Sequence, residues 1–366
     1  MTARLDESWQ LGSLRVPNRV LLAPLAGIGN WFVRLQAKRY GAGMAVSEMV
    51  SSHAIHHGNE KTCREMLRID PRERQPGPPT PGAAPAPGGP VSIQLFGENP
   101  AVMREAAAVV RARGADAIDI NMGCPVPKVR KTGAGAALLD DPDLAVAVAR
   151  ATVEGGGGLA VTVKLRSGLR PGDDSGFELA HRLVAEAGVA AIAFHPRSAA
   201  VHHKGTPDYE LAARLVESLP APVILTGGMD DADSVRAAFA ATGAAAVMLA
   251  RGALGNPWLF AELLDHPDPA APAQTHAPTR EQVLAELEWT IERAVEHLGE
   301  PRATRYLRKF YPWYVPRLWL DPGAAKDLQA QLQSAATLAQ ARELLAAAGV
   351  PAALAAWAPA EALGPV

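Results

Sequence analysis

Short apolar runs rich in β-branched residues alternate with helix-like segments along most of this 366-residue chain. The intervening segments carry apolar residues at three- and four-residue steps, and several end in glycine, which suits a helix carboxyl cap. Eight strand-then-helix units over about 250 residues are the count of a TIM (β/α)8 barrel. A doubly wound sheet is the alternative, but the GxGxxG turn that often follows its first strand is missing from this sequence. The predicted strands are Arg19–Ala23, Met44–Ser47, Val91–Phe96, Ala117–Ile120, Ala160–Leu165, Ala190–His195, Pro222–Thr226 and Ala245–Ala250.

The composition is that of a soluble protein. Hydrophobic residues make up 48% of the chain and charged residues 20%, and the formal net charge is −2. The two cysteines, Cys63 and Cys124, give no disulfide framework, and the first ten residues contain no apolar signal core. No apolar run reaches the roughly 18 residues that a membrane span needs. We therefore expect a cytoplasmic protein with no membrane attachment, and the sequence implies neither a metal site nor a protein partner.

Two stretches of unusual composition divide the chain. Residues 71–90 are dense in proline and glycine with little to bury, which predicts an exposed, mobile insertion. The strand pattern stops after Trp258, and periodic helical sequence resumes at Thr279. The predicted organisation is a barrel over 1–262, a linker over 263–278, a helical domain over 279–350 and an alanine- and proline-rich tail over 351–366.

The segment AIDINMGCPVPKV, residues 117–129, contains the first candidate site. A strand that runs into a Gly-Cys-Pro turn cannot continue its ladder, because proline lacks the N–H donor. Cys124 is therefore predicted to lie on a loop at the carboxyl end of the fourth strand, where parallel barrels keep their chemistry. A buried core cysteine is the alternative. The neighbouring Asn121 and Lys128 favour a functional thiol.

Polar side chains interrupt other predicted strands at corresponding ends. Gln94 lies in the third strand, Lys164 and Arg166 in the fifth, and His195 in the sixth. A buried lysine is costly unless it meets an anion or a polar group. A salt bridge inside the barrel would explain Lys164, and a hydrogen-bonded core histidine would explain His195. Neither explanation accounts for their recurrence on successive strands.

Glycines and an arginine follow the last two predicted strands and indicate a phosphate site. Gly227 and Gly228 let backbone N–H groups approach an oxyanion, and Arg251 with Gly252 adds charge and clearance. TIM barrels often bind phosphate with these two loops.

The segment 302–317 combines cations with aromatic residues and contains no acidic residue. Such a patch can face phosphates and stack on bases. Alternatively, its aromatic side packs on the body of the protein while its arginines stay in water. The cations include Arg305, Arg308 and Lys309, and the aromatic residues are Tyr306, Phe310, Tyr311, Trp313 and Tyr314.

These motifs, taken in order, resemble the tRNA-dihydrouridine synthase family, most closely its bacterial B-type branch. The resemblance covers roughly residues 16–258, and RYLRKFYPWY at 305–314 resembles the terminal-domain signature. Its most specific part is NMGCP followed by a lysine and a glycine-rich stretch. The other matching pieces are APLAGI at 23–28, SEM at 47–49, IQLFG at 93–97, VKLRSG at 163–168, HPRS at 195–198, TGGM at 226–229 and ARGALGNPW at 250–258.

The resemblance implies an FMN-dependent enzyme, reduced by NADPH or NADH, that reduces the 5,6 double bond of uridines in tRNA. Cys124 would supply the proton at C5 while the flavin hydride goes to C6. Substrate binding would involve Asn121, Lys128, Arg166, Arg305, Arg308 and Lys309. The residues expected to bind the cofactor are Pro24, Leu25, Ala26, Gln94, Lys164, His195, Gly227, Gly228, Ala250 and Arg251.

Some positions depart from the family pattern. Pro196 replaces a glycine after the sixth-strand histidine, and Thr226-Gly227-Gly228 replaces the usual Asn-Gly-Asp. Three other functions stay open: an FMN-dependent reductase of a free pyrimidine or other small enone, a Schiff-base lyase that uses Lys164, and a non-catalytic RNA-binding protein.

Overall fold

The computed structural model describes residues 3–78, 88–265 and 277–347. These residues form two compact units. The first consists of residues 3–253 and 257–265, and the second of residues 254–256 and 277–347. The first unit contains the β-sheet, and the described part of the second is helical.

Eight parallel strands close into a barrel in the first unit. The sheet closes because the second strand pairs with both the first and the third, and the eighth pairs with the first in register Val247 to Val20. A closed sheet excludes the doubly wound alternative, and the predicted barrel followed by a helical region is confirmed. A short strand, Val50–Ser51, also pairs with the third barrel strand. The barrel strands, first to eighth, are Val20–Leu22, Met44–Val46, Val91–Phe96, Ala117–Met122, Ala160–Arg166, Ala191–His195, Val223–Thr226 and Ala246–Leu249.

Helices surround the barrel and begin at side-chain caps. Asn99, Asp141, Asp208 and Asp231 each accept hydrogen bonds from backbone N–H groups in the first turn of a helix. The helices of this unit are Trp31–Arg39, Ser52–His56, Pro100–Ala112, Pro127–Arg130, Pro142–Gly156, Ser175–Ala187, Tyr209–Ser218, Ala232–Thr242 and Trp258–Asp265, with single turns at Thr62–Met66, Pro71–Glu73, Gly135–Leu139 and Arg251–Ala253.

A two-stranded hairpin, Trp9–Leu11 with Leu14–Val16, packs against the amino-terminal ends of the barrel strands. Its side chains share a buried cluster with small residues such as Ala117, Ala160 and Ala191, which begin their strands. The alanines leave room for the hairpin, so this end of the barrel is filled by apolar packing. The opposite end is left for the site.

The root of the proline-rich insertion is buried, which corrects the prediction that 71–90 is exposed throughout. Glu73 is fully buried, and both of its carboxylate oxygens accept hydrogen bonds from Arg34, at 2.8 and 2.9 Å. The Lys38 ammonium donates to the carbonyl oxygens of Glu73 and Gly89, so it joins the two ends of the segment. Residues 79–87, the middle of the predicted insertion, lie outside the described residues.

The helical unit packs around a core of leucine, valine and tyrosine side chains, among them Val283, Leu287, Tyr311 and Tyr314. In the first unit, the helix Trp258–Asp265 continues three residues beyond the barrel boundary predicted at 262. Most of the predicted linker, residues 266–276, and the predicted tail, 351–366, lie outside the described residues. The helices of the second unit are Arg280–Leu298, Glu300–Leu307, Tyr311–Tyr314, Pro322–Ser334 and Leu338–Ala347, with a 3-10 turn at Val315–Leu318.

No helix in the described ranges is both long enough and apolar enough to cross a membrane.

Candidate active site

An open cavity of about 320 Å³ lies at the carboxyl ends of the barrel strands. It brings together most of the predicted site residues from seven strands and their following loops. Lys128 does not line it: this side chain is exposed on the short helix Pro127–Arg130, just beyond the Cys124 turn. The predicted residues that line the cavity are Pro24, Leu25, Ala26, Gln94, Asn121, Cys124, Lys164, Arg166, His195, Gly227, Gly228, Ala250 and Arg251.

Hydrogen bonds fix the backbone of Cys124 on both sides. The fourth strand extends to Met122, two residues beyond its predicted end, so Asn121 is part of the strand. The Asn121 side-chain oxygen accepts hydrogen bonds from the backbone N–H of Gly123 at 3.3 Å and of Cys124 at 2.9 Å. The carbonyl of Cys124 accepts from the N–H of Ala136 at 3.0 Å. The half-buried thiol is therefore held at the cavity wall.

A buried polar cluster lies behind this loop. The Gln94 amide nitrogen donates to Asp119 at 2.6 Å, and the Gln94 amide oxygen accepts from Asn121 at 3.0 Å. The Thr162 hydroxyl donates to the other Asp119 oxygen at 2.5 Å. Burial raises the pKa of Asp119 to about 6, although these hydrogen bonds and Lys164 oppose the rise. Asp119 had no predicted role, although an aspartate in the middle of an apolar strand is a visible signal in the sequence.

Lys164 places an ammonium group at the cavity. Its ammonium makes no hydrogen bond or ion pair to any of the described residues, which excludes the salt bridge considered from the sequence. Burial, and then the neighbouring Arg166, lowers the pKa of Lys164 to about 8, while Asp119 and Cys124 oppose this shift. A half-buried cation without a hydrogen-bond partner among the described residues is suited to bind an anionic or polar ligand.

Arg166, at the end of the fifth strand, connects the loops that follow the fourth and sixth strands. Its guanidinium donates to the backbone carbonyls of Gly123 at 3.1 Å, Ser198 at 3.1 Å and His202 at 2.7 Å. Burial lowers the pKa of Arg166 to about 10, so the group stays cationic at neutral pH. Most of its donors are directed at backbone rather than at the cavity, so Arg166 has a positioning role. His202 has φ +54°, a left-handed conformation that is uncommon outside glycine.

His195 is a neutral, buried imidazole. Burial and then the nearby cations, Lys164 first, hold its pKa well below 6.5. Arg197 Nη1 lies 3.3 Å from His195 Nε2, and because a guanidinium can only donate, Nε2 is the acceptor. The remaining ring proton is therefore on Nδ1. The hydrogen-bonded histidine considered from the sequence is thus correct, and the same ring also lines the cavity.

The glycines after the seventh strand let neighbouring side chains approach their backbone closely. Gly227 has φ +102°, and a Cβ there would lie 2.3 Å from His195 Nε2. Gly228 has φ +76°, and its Cβ would lie 2.5 Å from Pro207. Arg251 is exposed at the start of a 3-10 turn beside them. Accessible backbone beside an arginine is the composition of a phosphate site.

Several further side chains line the same cavity. Arg197, a polar residue expected at this end of the barrel because it follows the sixth strand, donates to the Gly205 carbonyl at 3.1 and 2.6 Å and so closes its own loop. Burial, and then Arg251 and other cations, lowers the pKa of His203 to about 4. The run His202-His203-Lys204 was visible in the sequence, but only the fold brings it to the site. Lining residues for which no role was predicted include Met49, His202, His203 and Asp230.

The basic and aromatic patch of the second unit contains both exposed and buried side chains. Arg305 and Lys309 are exposed, and the Lys309 ammonium lies 5.0 Å from the centre of the Tyr306 ring. Arg308 donates to the Ala335 carbonyl at 3.0 Å. The hypothesis that the aromatic residues stack on bases is wrong for three of them, because their rings fill the core of the unit. These three are Phe310, Tyr311 and Tyr314.

Fold and cavity define a parallel β/α-barrel protein with a cation-rich binding site at the carboxyl ends of its strands. A family model described as Dihydrouridine synthase matches residues 21–351. The chain belongs to the dihydrouridine synthase family, which confirms the resemblance found in its motifs.

Several relatives align over nearly the whole chain. The tRNA-dihydrouridine synthase B of Xanthomonas campestris pv. campestris is 34% identical over 350 residues, which are 93% of this chain and 98% of the relative. A probable tRNA-dihydrouridine synthase of Rhodobacter capsulatus is 36% identical over 340 residues, 91% of this chain and 96% of the relative.

Solved structures with the same barrel are more distant. Histamine dehydrogenase from Rhizobium sp. 4-9 superposes with a TM-score of 0.50 and 12% identity, over 72% of this chain and 48% of that one. A 2-naphthoyl-CoA reductase gives a TM-score of 0.50 at 14% identity, over 74% and 53% of the two chains. These likenesses concern the fold alone.

Proposed function

We propose that this protein reduces the C5–C6 double bond of specific uridines in tRNA to dihydrouridine, with FMN as cofactor and NADPH or NADH as reductant. The family and the names of its relatives support the reaction and the substrate. The observation that carries the proposal is the position of Cys124: a half-buried thiol at the wall of a cavity that is also lined by Lys164, Arg166 and Arg251.

The cavity residues fit a phosphorylated flavin. The Lys164 ammonium lacks a hydrogen-bond partner among the described residues, and Gly227 and Gly228, which line the cavity, carry no side chain that would cover their backbone. When bound, FMN would supply the hydride that is transferred to the uracil ring. Lys164 and Gln94 would hold the flavin ring by charge and hydrogen bonding. The residues proposed to lie along the ring or around the phosphate are Pro24, Leu25, Ala26, His195, Gly227, Gly228, Ala250 and Arg251.

Cys124 would act as the general acid and donate its Sγ proton to C5 of the uracil. Its backbone is held by Asn121 and Ala136, so the thiol keeps a fixed direction when substrate enters. Asn121 would also bind the uracil, although its oxygen and one N–H are already used within the protein. Arg166 would support this geometry by holding the Gly123 carbonyl.

The target uridine lies in a folded RNA, so it must leave its stack to reach the cavity. Exposed cations would bind the phosphate backbone during this step. We assign this role to Lys128 beside the cavity loop, and to Arg305 and Lys309 in the helical unit, all of which are exposed. Arg308, which binds a backbone carbonyl, would mainly hold the fold. The enzyme would work in the cytoplasm, where tRNA is processed.

An anaerobic visible spectrum tests the proposal. The purified protein should have flavin bands that bleach with NADPH and return when unmodified tRNA is added. Cys124→Ala should slow the return by about 100-fold or more, the usual contribution of a general acid, whereas Cys63→Ser should not. Return with free uracil but not with tRNA would support the small-molecule reductase instead. A colourless protein that cannot bind FMN, and that borohydride links to an aldehyde or ketone through Lys164, would overturn the proposal in favour of a lyase.

A further inference from the structure

A continuous chain of hydrogen bonds runs through the barrel interior to the Cys124 loop. It begins at Thr162, passes through Asp119 and Gln94, and reaches Asn121, which accepts from the N–H of Cys124 at 2.9 Å. Each link is 3.0 Å or shorter. These residues belong to three adjacent strands, the third, fourth and fifth, and to the loop that follows the fourth.

The direction of this series of hydrogen bonds is set at both ends. At one end the backbone N–H groups of Gly123 and Cys124 can only donate, and at the other end stands Asp119. An ionised carboxylate can only accept hydrogen bonds, so Asp119 obliges the Gln94 amide to present its nitrogen. The Gln94 oxygen then faces Asn121 and must receive an N–H. The Asn121 amide therefore directs its nitrogen to Gln94 and its oxygen to the Cys124 backbone.

Without such a constraint, each amide could rotate by a half-turn with little change in shape. A half-turn of Asn121 would direct its NH2 group at the N–H of Cys124. Two donors would then face each other, and the backbone of the cysteine loop would lose its partner. Asp119, two residues before Asn121 in the sequence, disfavours this half-turn. A reversed series of hydrogen bonds would turn the Gln94 oxygen towards the Asp119 carboxylate, and two acceptors would face each other.

We propose that Asp119 is a positioning residue which, through Gln94 and Asn121, fixes the orientation of the backbone at Cys124. The carboxylate is fully buried and does not line the cavity, so it touches neither substrate nor cofactor. Its effect on turnover rests on the proposed function of Cys124, whereas its effect on the loop does not.

The charge environment is consistent with this role. Burial alone would favour a neutral acid, but the Lys164 cation and the two donors from Thr162 and Gln94 favour the carboxylate. The ionised form is therefore retained at neutral pH, where it can only accept.

The alkylation rate of Cys124 tests the inference, because it reports loop position without requiring turnover. All variants are made in the full-length Cys63→Ser chain, so iodoacetamide reads a single thiol, and samples are brought to equal flavin content. Asp119→Asn should change the alkylation rate by about fivefold or more, since the introduced amide lets the chain reverse. Asp70→Asn is the matched control: Asp70 is buried and paired with Arg72, away from the cavity, and should leave the rate unchanged.

The double variant Gln94→Glu with Asp119→Asn exchanges acid and amide. The amide at 119 can donate to the carboxylate at 94, whose other oxygen still accepts from Asn121, so the direction of the chain is restored. The alkylation rate should return to within about twofold of the reference. Flavin binding need not recover, because Gln94 is proposed to contact FMN.

An unchanged rate in Asp119→Asn would overturn the inference. A changed rate that the exchange fails to correct would overturn it as well, since that result reports general damage to the core. If Asp119→Asn alone does not fold, the exchange variant decides: a folded protein with the reference rate supports the inference, and any other result rejects it. If the protein proves inactive on tRNA, the proposed function fails. The alkylation rates would still show whether Asp119 positions the Cys124 backbone, because they do not require turnover.

Discussion

Two groups of cations in the barrel unit differ in their partners. At the root of the insertion, Arg34 forms two hydrogen bonds with the buried Glu73, and Lys38 binds two backbone carbonyls. In the cavity, Lys164 makes no hydrogen bond to the described residues. Lys38 is fully buried and Lys164 is half-buried, yet burial lowers the pKa of both to about 8, so the pKa does not distinguish the two sites.

The partners do distinguish them. A buried charge whose hydrogen bonds are satisfied within the protein contributes to the fold. If one partner of such a pair is removed, the other stays buried as an unpaired charge, and the folded state is destabilised by the cost of its desolvation. A buried charge without protein partners raises the free energy of the folded state until a ligand satisfies it. We therefore interpret the insertion root as structural and Lys164 as a ligand-binding group.

The largest expected effect is at the paired site. Arg34→Met leaves the Glu73 carboxylate buried without its partner and should lower the free energy of unfolding by about 3–5 kcal/mol, measured by urea denaturation. The double variant Arg34→Met with Glu73→Leu removes both charges and should recover most of the loss. A loss below about 1 kcal/mol in the single variant would refute the structural interpretation.

The second effect is at the unpaired site. Lys164→Met should weaken FMN binding by about 10–100-fold, the equivalent of one to two charge-assisted hydrogen bonds, without destabilising the flavin-free protein. Lys38→Met is the matched control and should do the reverse, lowering stability while leaving FMN affinity unchanged. Fluorescence titration with FMN and urea denaturation measure the two quantities. If the two variants changed FMN affinity and stability in the same way, Lys38 and Lys164 could not be assigned different roles.

A smaller effect is expected in the helical unit, where an exposed arginine can be compared with one that binds a backbone carbonyl. Arg305 is exposed, so Arg305→Ala should weaken tRNA binding by about two- to fivefold and reduce the salt dependence by about one counterion. Arg308→Ala should leave the salt dependence unchanged and instead lower stability by about 1 kcal/mol through the lost bond to the Ala335 carbonyl. Filter binding at several salt concentrations separates them. A larger loss of tRNA affinity in Arg308→Ala would reverse our assignment.

The smallest effect is a pH dependence. The pKa of Lys164 is about 8 in the folded protein against an ordinary 10.5, so the unfolded chain binds more protons between these values. Stability should therefore rise with pH from about 8 to 10.5 by a contribution that Lys164→Met lacks. Water in the open cavity should keep this difference below about 1 kcal/mol. A constant stability gap between the two proteins across this range would contradict the expectation.

The sequence predicted the barrel well because its strands are continuous apolar runs with clear ends. The third strand, Val91–Phe96, has the predicted bounds, and the others differ by one or two residues at an end. The cavity was also predictable in outline, since side chains at corresponding ends of parallel strands must meet. By contrast, the hairpin strands Trp9–Leu11 and Leu14–Val16 have only three residues each, too few to establish an alternating pattern.

Other features depend on long-range contacts that composition does not encode. The burial of Glu73 requires Arg34, which lies 39 residues away, inside a stretch that otherwise reads as exposed. The role of Asp119 requires the register of three adjacent strands. The three-residue spacing of Tyr311 and Tyr314 places them on one helix face, but it does not say whether that face is turned to water or to the core. The packing of the other helices of the unit determines that both are buried.

The Lys38 ammonium holds the backbone carbonyls of Glu73 and Gly89 together, although 15 residues separate them in the sequence. The free energy of bringing two such points together rises by only about 0.6 kcal/mol for each doubling of the number of residues between them. Lys38 would therefore hold the same two carbonyls at nearly the same cost if that number were larger. The contact depends on the lysine and the two carbonyls rather than on the number of residues between them.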